Sequence, residues 1–566
     1  MRKKDRILKN ILQLLLIFLI IALVGYLSSV WYFRLDLTSE KKYTLSKATR
    51  NILEDLQGDV FIQVYLDGDM PIGFKRLKKA SRELLDEFRV YSKRKVSFDF
   101  INPSDEENLK ERNKIYKDLF EKGLHPLNVK SSDKEGGQSQ KTLFPGAILN
   151  YKGLKMPVNM LINNPNLPAS ENLNRSMENL EYEFVRALEA ITADTIYKIA
   201  FLEGHGELYE PQVEDISREL SRYYTIDRGQ IGGKPGILDS YAAVIIAKPV
   251  KPFSEADKLV LDQYLMQGGN ILWMIDPVAV DMDSLMYSSI TLAYLRDLNL
   301  NDILFKYGIR INGDLIQDIQ CAQIPVNTAI VGNPPKYTPV PWLFYPLLEG
   351  SGHPVSRNLN LVRSEFASEL DTLAGGGDIR KTILLKSSDF SKTFGVPNLI
   401  NLADVKNPLP REAFSRKNIP VAVLLEGEFN SVFRNRSLEA ILPDRKFTFL
   451  DRSKPAKMII ISDGDIIRND VSFQGGKPFS LPLGQDRLTQ QTYGNKDFIL
   501  NAVSYLAGQS GLMELRGREL KLRMLDKAKL SSGKLKWQLI NTILPVFLVL
   551  LFGIIAGIIR KRRYAG

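Results

Sequence analysis

Cysteine is all but missing from these 566 residues: Cys321 stands alone, so no internal disulfide braces the fold. Histidine is nearly as scarce. His125, His205 and His353 are too few and too scattered for the Cys/His clusters of a structural zinc site. No G-x-S-x-G elbow occurs, and the surroundings of Cys321 (DIQCAQIP) hold nothing to activate a thiol nucleophile. A phosphate-binding loop is missing as well. Gly375–Thr382 (GGGDIRKT) comes nearest, but Arg380 stands where a glycine must let backbone approach phosphate, so it reads as a turn. Tandem repeats and low-complexity tracts are absent. These gaps leave no nucleotide site, nucleophile, metal centre or cofactor to expect, in a chain long enough for two or more packed domains.

Excess charge is scarce too, except at the ends. The net charge is +11. Arg2, Lys3, Lys4, Arg6 and Lys9 against Asp5 account for four, and Arg560, Lys561, Arg562 and Arg563 for another four, leaving three for everything between. A nearly neutral body argues against a nucleic-acid partner. The basic ends instead flank two apolar stretches, Ile11–Phe33 and Leu539–Ile559, each long enough to span a bilayer. With both clusters on the terminal sides, the positive-inside rule puts both termini in the cytoplasm and about 500 residues outside it. Trp31, Tyr32, Phe33 and Trp537 suit the interfacial aromatic belt. The first stretch is longer than a signal-peptide core, and bulky aromatics follow Ser28–Ser29, which favours an uncleaved anchor over a cleaved signal.

The body is organised around 196–277. IYKIAFLEGHGE is an apolar strand ending in a loop with glycine on each side of His205. A helix follows from Pro211 to about Arg222, then a buried strand at YAAVIIA (Tyr241–Ala247) and a helix from Glu255 to Gln267. Ser254 and Asp257 form a capping box for that helix, and Gly268–Gly269 end it. NILWMIDP (Asn270–Pro277) closes the unit as a third strand. Ala256, Leu259, Val260 and Tyr264 share one helical face, at the period needed to pack on a sheet. Strands alternating with helices predict a mostly parallel α/β sheet of Rossmann or flavodoxin type. Lys381–Leu385, Val421–Leu425 and Met458–Ser462 read as further strands of it, with Ile400–Lys417 an insertion.

Ligands of such sheets lie beyond the carboxyl ends of the strands. That places Glu203, Gly204, His205, Gly206 and Glu207 at the site edge, with Asp276 close by. SDGD at Ser462–Asp465 follows another apolar strand, so Asp463 and Asp465 project at the same edge. Together with Glu203 and His205 they make a candidate ligand, cation or hydrolytic site. The plainer alternative is a pair of tight turns in which Gly204 and Gly206 relieve backbone strain.

Before this region, Ser46–Leu56 (helix), Val60–Leu66 (strand), Phe74–Tyr91 (helix), Val96–Ile101 (strand) and Asn108–Lys122 (helix) are predicted. A polar loop at Ser131–Gln140, a hairpin around Lys152–Gly153, a Pro/Asn-rich connection at Asn163–Asn174 and the helix SMENLEYEFVRALEAIT follow. Met177, Leu180, Phe184, Leu188 and Ile191 give that last helix one apolar stripe. The order over Val60–Thr192 resembles a thioredoxin-like fold without its Cys-x-x-Cys, hence scaffold without redox chemistry. Beyond Pro277, Asn299–Gly308 reads as a helix leading into a strand at Ile309–Asn312, Gly332–Pro354 as an irregular ordered loop, and Asn495–Leu506 as an amphipathic helix. Arg516–Lys529 is a basic helix suited to anionic lipid headgroups or a partner's acidic face, or equally to a solvated stalk. The expected domains are therefore a basic tail (1–10), a span (11–33), a thioredoxin-like domain (34–194), an α/β domain (195–510), a basic stalk (511–537), a span (538–559) and a second basic tail (560–566).

Several stretches taken together, NRSMENLEYEFVRALEAIT, FLEGHGE, PWLFYPLL followed by HPV, KTILLKSSDF, VAVLLEGEF, SDGDIIRND and RGRELKLRMLDKAK, resemble the gliding-motility GldG family across essentially the whole chain. The resemblance implies an accessory, so-called substrate-binding component of an ABC transporter in the inner membrane of Bacteroidetes-type bacteria. It implies a GldF-like permease and a GldA-like ATPase as partners, and supplies no catalytic residues. Three functions follow for comparison: a periplasmic transporter subunit binding its ligand at Glu203–Glu207, a mechanical scaffold without a ligand, and a hydrolase at the Glu203/His205/Asp463/Asp465 edge. The first is the expectation, and it is not an enzyme.

Overall fold

The computed structural model describes residues 14–23, 44–132, 138–161, 168–193, 196–280, 282–327, 336–357, 359–374, 378–406, 409–441, 447–489, 491–508 and 527–564. The chain divides into two compact units, Met1–Arg518 and Glu519–Gly566. Near the start of the first, α1 (Leu14–Leu23) is a short apolar helix; the rest of the predicted span Ile11–Phe33 lies outside the described residues.

Ser46 caps α2 (Lys47–Glu54) by accepting from the Thr49 backbone N–H. Then come β1 (Val60–Val64), α3 (Ile72–Tyr91), β2 (Val96–Phe100) and α4 (Leu109–Glu121), the last capped by Asn108. Two hairpins follow, β3 (Leu127–Ser132) with β4 (Gln138–Leu143), and β5 (Gly146–Tyr151) with β6 (Leu154–Asn159). The loop predicted at Ser131–Gln140 is therefore partly hairpin. The long helix α5 (Ala169–Thr192) starts earlier than its apolar stripe, since Pro168 and the first-turn Glu171 favour a start there. One sheet runs β2-β1-β5-β6, with β1 parallel to β2 and antiparallel to β5. Leu77, Leu85 and Phe88 of α3 and Leu180, Phe184 and Leu188 of α5 are buried in its core.

The second sheet begins with β7 (Lys198–Leu202), α6 (Glu214–Leu220), β8 (Thr225–Gly229), β9 (Ala243–Ala247), α7 (Glu255–Met266) and β10 (Asn270–Met274). Small elements follow: β11 (Val278–Ala279), α8 (Met282–Ser288), β12 (Ile290–Leu295), α9 (Asn301–Lys306), β13 (Ile309–Ile311) and β14 (Asp314–Asp318). Next are β15 (Cys321–Asn327), β16 (Tyr337–Gly350), β17 (Val362–Arg363), β18 (Leu370–Thr372), β19 (Ile379–Lys386), β20 (Ser391–Gly395), β21 (Asn398–Asn401) and β22 (Pro420–Gly427). The last are α10 (Leu438–Ile441), β23 (Ala456–Ile461), the hairpin β24 (Val471–Gln474) with β25 (Lys477–Ser480), and α11 (Asn495–Leu506).

The strand order is β8-β7-β9-β10-β23-β22-β19-β16-β15, with β17 joined to β16. From β8 to β23 neighbours are parallel; from β23 to β15 they are antiparallel. The expectation of a mostly parallel sheet holds for one half only. Parallel neighbours need crossovers, usually helical, and the helices described between Pro277 and α11 have seven, six and four residues.

Three further corrections concern packing. The helix α7 was expected to be buried on one face, yet Lys258–Met266 is buried all round. A second layer covers its outer side: Asp262 accepts bonds from Tyr307, Ser431 and the Val432 backbone. The amphipathic α11 is likewise buried from Phe498 to Leu506. The irregular loop expected at Gly332–Pro354 is mostly the 14-residue strand β16. Its Pro339 and Pro341 fall on exposed positions, while Trp342 and Phe344 enter a core with Leu315 and Ile324.

In the second unit, α12 (Lys527–Tyr564) carries the apolar stretch Lys536–Ile559, which contains the predicted span Leu539–Ile559. Its 24 residues extend about 36 Å, enough for a hydrocarbon core of about 30 Å. Among the described residues this is the one helix long and apolar enough to cross a membrane. The basic segment Arg516–Lys529 lies outside the described residues up to 526.

Candidate functional site

The carboxyl ends of β7, β10 and β23 supply the predicted site residues. After β7 the chain turns through Gly204 (φ +119°) and Gly206 (φ +75°). A Cβ on Gly206 would meet Val250 Cγ2 at 2.5 Å, so this position is glycine for space as well as for backbone angle. Between them the His205 carbonyl accepts the N–H groups of Val250 and Lys251, which locks the turn against the segment after β9.

His205 is buried at 6% exposure. Its ring stacks on Phe253 with centroids 3.7 Å apart. Nδ1 lies 3.2 Å from Glu207 Oε1, and Nε2 lies 3.3 Å from Asp257 Oδ2. Burial disfavours a charged ring, but the bonds to Asp257 and Glu207 outweigh it and raise the pKa to about 9. The same bond to His205 holds the Asp257 carboxyl below its ordinary value. The Asp257 N–H donates to the capping Ser254 hydroxyl, and its carboxylate accepts from that hydroxyl and from the Gly233 N–H, so one carboxylate joins helix, histidine and loop. Glu203 pairs with Arg228 at 2.8 Å, and Arg228 also donates to the Leu208 carbonyl.

Asp276, Asp463 and Asp465 form a second group, with carboxylate oxygens within 4.8 Å of one another. Lys248, the first residue after β9, reaches Asp276 at 3.1 Å and also pairs with Asp465. Arg468 forms ion pairs with Asp465 and Glu365, both at 2.6 Å, and Arg363 bonds Glu365 in turn. Asp463 accepts the backbone N–H groups of Glu365 and Asp465 at 2.8 and 2.7 Å. Complete burial, then the nearby charges of Asp276 and Asp465, push its pKa well above the ordinary carboxyl value. Lys248 holds its place at φ +57°, and Gly464 makes room for it, since a Cβ there would lie 2.6 Å from Lys248 Cβ.

The edge expected from Glu203, His205, Asp463 and Asp465 together thus divides into two groups. No hydrogen bond or ion pair joins them among the described residues. Both contact the segment 247–251, which Leu208 and His205 bond from one side while Lys248 enters the other group. Sequence reasoning missed Lys248, Phe253, Asp257, Glu365 and Arg468. Lys248 carried the same signal as the rest, a polar residue directly after an apolar strand. Glu365 carried none, because it arrives from a turn about a hundred residues away in the chain, whereas Arg468 lies only three residues after Asp465. Cys321, set aside for want of an activator, has its thiol pushed up to about 12, by burial first and the Asp318 charge second.

Residues 197–502, which include all of these groups, match the family described as an ABC-type uncharacterized transport system. The chain belongs to that family. It is the GldG-type family of the sequence resemblance, and the chain is accordingly an accessory component of an ABC transport system. Residues 39–150 match a domain of unknown function, DUF7088. A protein of Borreliella burgdorferi described only as uncharacterized is 21% identical over 573 residues, covering 99% of each chain. Among solved structures, the mmIFT52 N-terminal domain aligns at 14% identity and a TM-score of 0.32 over 55% of this chain and 97% of that one, too remote to bear on fold or function.

Proposed function

We propose that the chain is a membrane-anchored accessory subunit of GldG type that works with a separate GldF-like permease and GldA-like ATPase. Its body lies in the periplasm, both termini lie in the cytoplasm, and the first span is the stretch Ile11–Phe33. The family match over residues 197–502 carries this reading. The apolar stretch in α12 supports the anchor, and the missing phosphate-binding loop requires that ATP be hydrolysed by a partner. A thioredoxin-like domain over 34–194 and an α/β domain over 195–510 make up the body. The β2-β1-β5-β6 order, with β5 antiparallel to β1, supports the first assignment.

Within this reading the carboxyl edge at Glu203–Glu207, Asp276, Asp463 and Asp465 serves as the ligand edge. A second reading, a scaffold that transmits ATP-driven movement, is favoured by one observation. The edge is filled by the protein's own pairs, with Lys248 and Arg468 among the aspartates and Phe253 on His205.

Purification of the tagged protein from its native membrane in mild detergent tests the assignment. Recovery of a permease and an ATPase in fixed ratio is expected. Recovery alone, or with envelope-assembly proteins only, overturns it.

A further inference from the structure

On the antiparallel side of the large sheet, β16 and β19 bring Glu349 and Lys386 directly opposite each other. Opposite charges in that position normally attract across about 5 Å between Cβ atoms. Here no ion pair closes. Among the described residues the Lys386 ammonium has no hydrogen-bond or ion-pair partner, and the Glu349 carboxylate accepts only a long bond, 3.4 Å, from Gln320 Nε2. Both side chains line a cleft of about 570 Å³. A second carboxylate, Asp389, lines it too and is oriented by a bond from Asn418 Nδ2 at 2.8 Å. Ile319 and Phe390 add apolar surface and are 40% and 39% exposed. The guanidinium of Arg411 lies 4.0 Å from the Phe390 ring centre and steadies that ring.

The frame of this cleft is rigid. The buried Asp318 carboxylate accepts the Ser388 N–H at 2.8 Å, the Ser388 hydroxyl at 2.6 Å and the Gln320 N–H at 2.8 Å. Ile319 N–H donates to the Phe390 carbonyl, and Gln320 Nε2 to the Leu347 carbonyl. These bonds fix the backbone that carries the charged groups, which limits what ligand binding must order.

We infer that this cleft binds a small zwitterion, an amino acid or the end of a short peptide. Lys386 takes the ligand carboxylate, Glu349 and Asp389 take its ammonium, and Ile319 and Phe390 cover its side chain. A simple anion would face two carboxylates, a simple cation would face Lys386, and a neutral sugar would leave all three charges unmatched.

Calorimetric titration of the full chain in detergent with the dipeptide Ala-Leu, its N-acetylated amide and maltose tests this. The free dipeptide binds and the other two do not. Lys386→Met and Glu349→Gln each weaken binding roughly tenfold or more, the usual worth of a charge-assisted hydrogen bond. Lys386→Arg retains it, and circular dichroism shows all three variants folded. Silence of the dipeptide at millimolar concentration, equal binding of its capped form, binding of maltose instead, or full affinity in Lys386→Met overturns the proposal. None of these outcomes touches the co-purification result, so the two readings fail separately.

Discussion

The ring of His205 lies flat on that of Phe253, with centroids 3.7 Å apart and planes 13° from parallel. The stack explains why a histidine at the mouth of a parallel sheet is buried. Phe253 covers one ring face while both nitrogens meet carboxylates, so it is held as an imidazolium that joins three segments of chain.

That charge makes stability depend on pH. His205 has a folded pKa of about 9, above its unfolded value, so its contribution is full below about 6.5 and is lost as pH rises through about 9. Asp257 runs the other way: its lowered pKa gives stability that is present above about 4 and lost as pH falls through the folded value. Urea unfolding of the full chain from pH 5 to pH 10 should show a decline on the order of 2 kcal/mol across the alkaline limb. His205→Asn should flatten it, and an unchanged slope in that variant would assign the decline to other groups.

The two glycines around His205 should differ. Gly206→Ala brings a positive-φ penalty and a contact at 2.5 Å, whereas at Gly204 the added carbon meets nothing closer than 3.4 Å. A loss of about 2–4 kcal/mol is expected at Gly206 and about 1 kcal/mol at Gly204. Equal losses in thermal unfolding would show that backbone angle alone decides both positions.

Removing Lys248 should be among the most damaging single changes at the carboxyl edge. Lys248→Met removes the cation paired with buried Asp276 and one of the two paired with Asp465, with an expected cost of about 3–5 kcal/mol. Adding Asp465→Asn should recover part of that loss, a coupling that a double-mutant cycle reads directly. Strict additivity would mean that the pair is not an energetic unit.

The first sheet's long helix is tied to the turn between α6 and β8 by a cation–π contact. Arg186 on α5 lies 4.0 Å from the ring centre of Tyr223, and both are largely enclosed. Lysine lacks the flat guanidinium, so Arg186→Lys should lose about 1–2 kcal/mol. Against a Tyr223→Leu background the same change should cost almost nothing, as followed by denaturant midpoints.

The strands β7, β9 and β10 and the cap of α7 were legible because each is a local pattern: a short apolar run, a Ser-x-x-Asp box, a glycine after the last turn. The presence of Asp276, Asp463 and Asp465 at one edge was legible for the same reason, since a strand's end is visible in sequence. Their partners were not. Glu365 and Arg468 lie 103 residues apart in the chain and meet through a 2.6 Å bond. The strand β16 was illegible for a different reason. Three prolines in a row of aromatics read as a loop until the partner strand β15 fixes which faces point outward.

By itself the amino-acid sequence determined the periodicity of the elements, the positively charged ends beside apolar stretches, the missing nucleotide loop and the resemblance that the family match upheld. These are properties of neighbouring residues or of the chain as a whole, and need no fold to be seen. The tertiary structure alone decided that the sheet turns antiparallel after β23, that α7 and α11 are enclosed, and that Lys248 and Glu365 reach the aspartates. Each depends on which distant segments share a surface. Burial then sets the rest, because a charge removed from water must find its counter-charge wherever the fold has brought one.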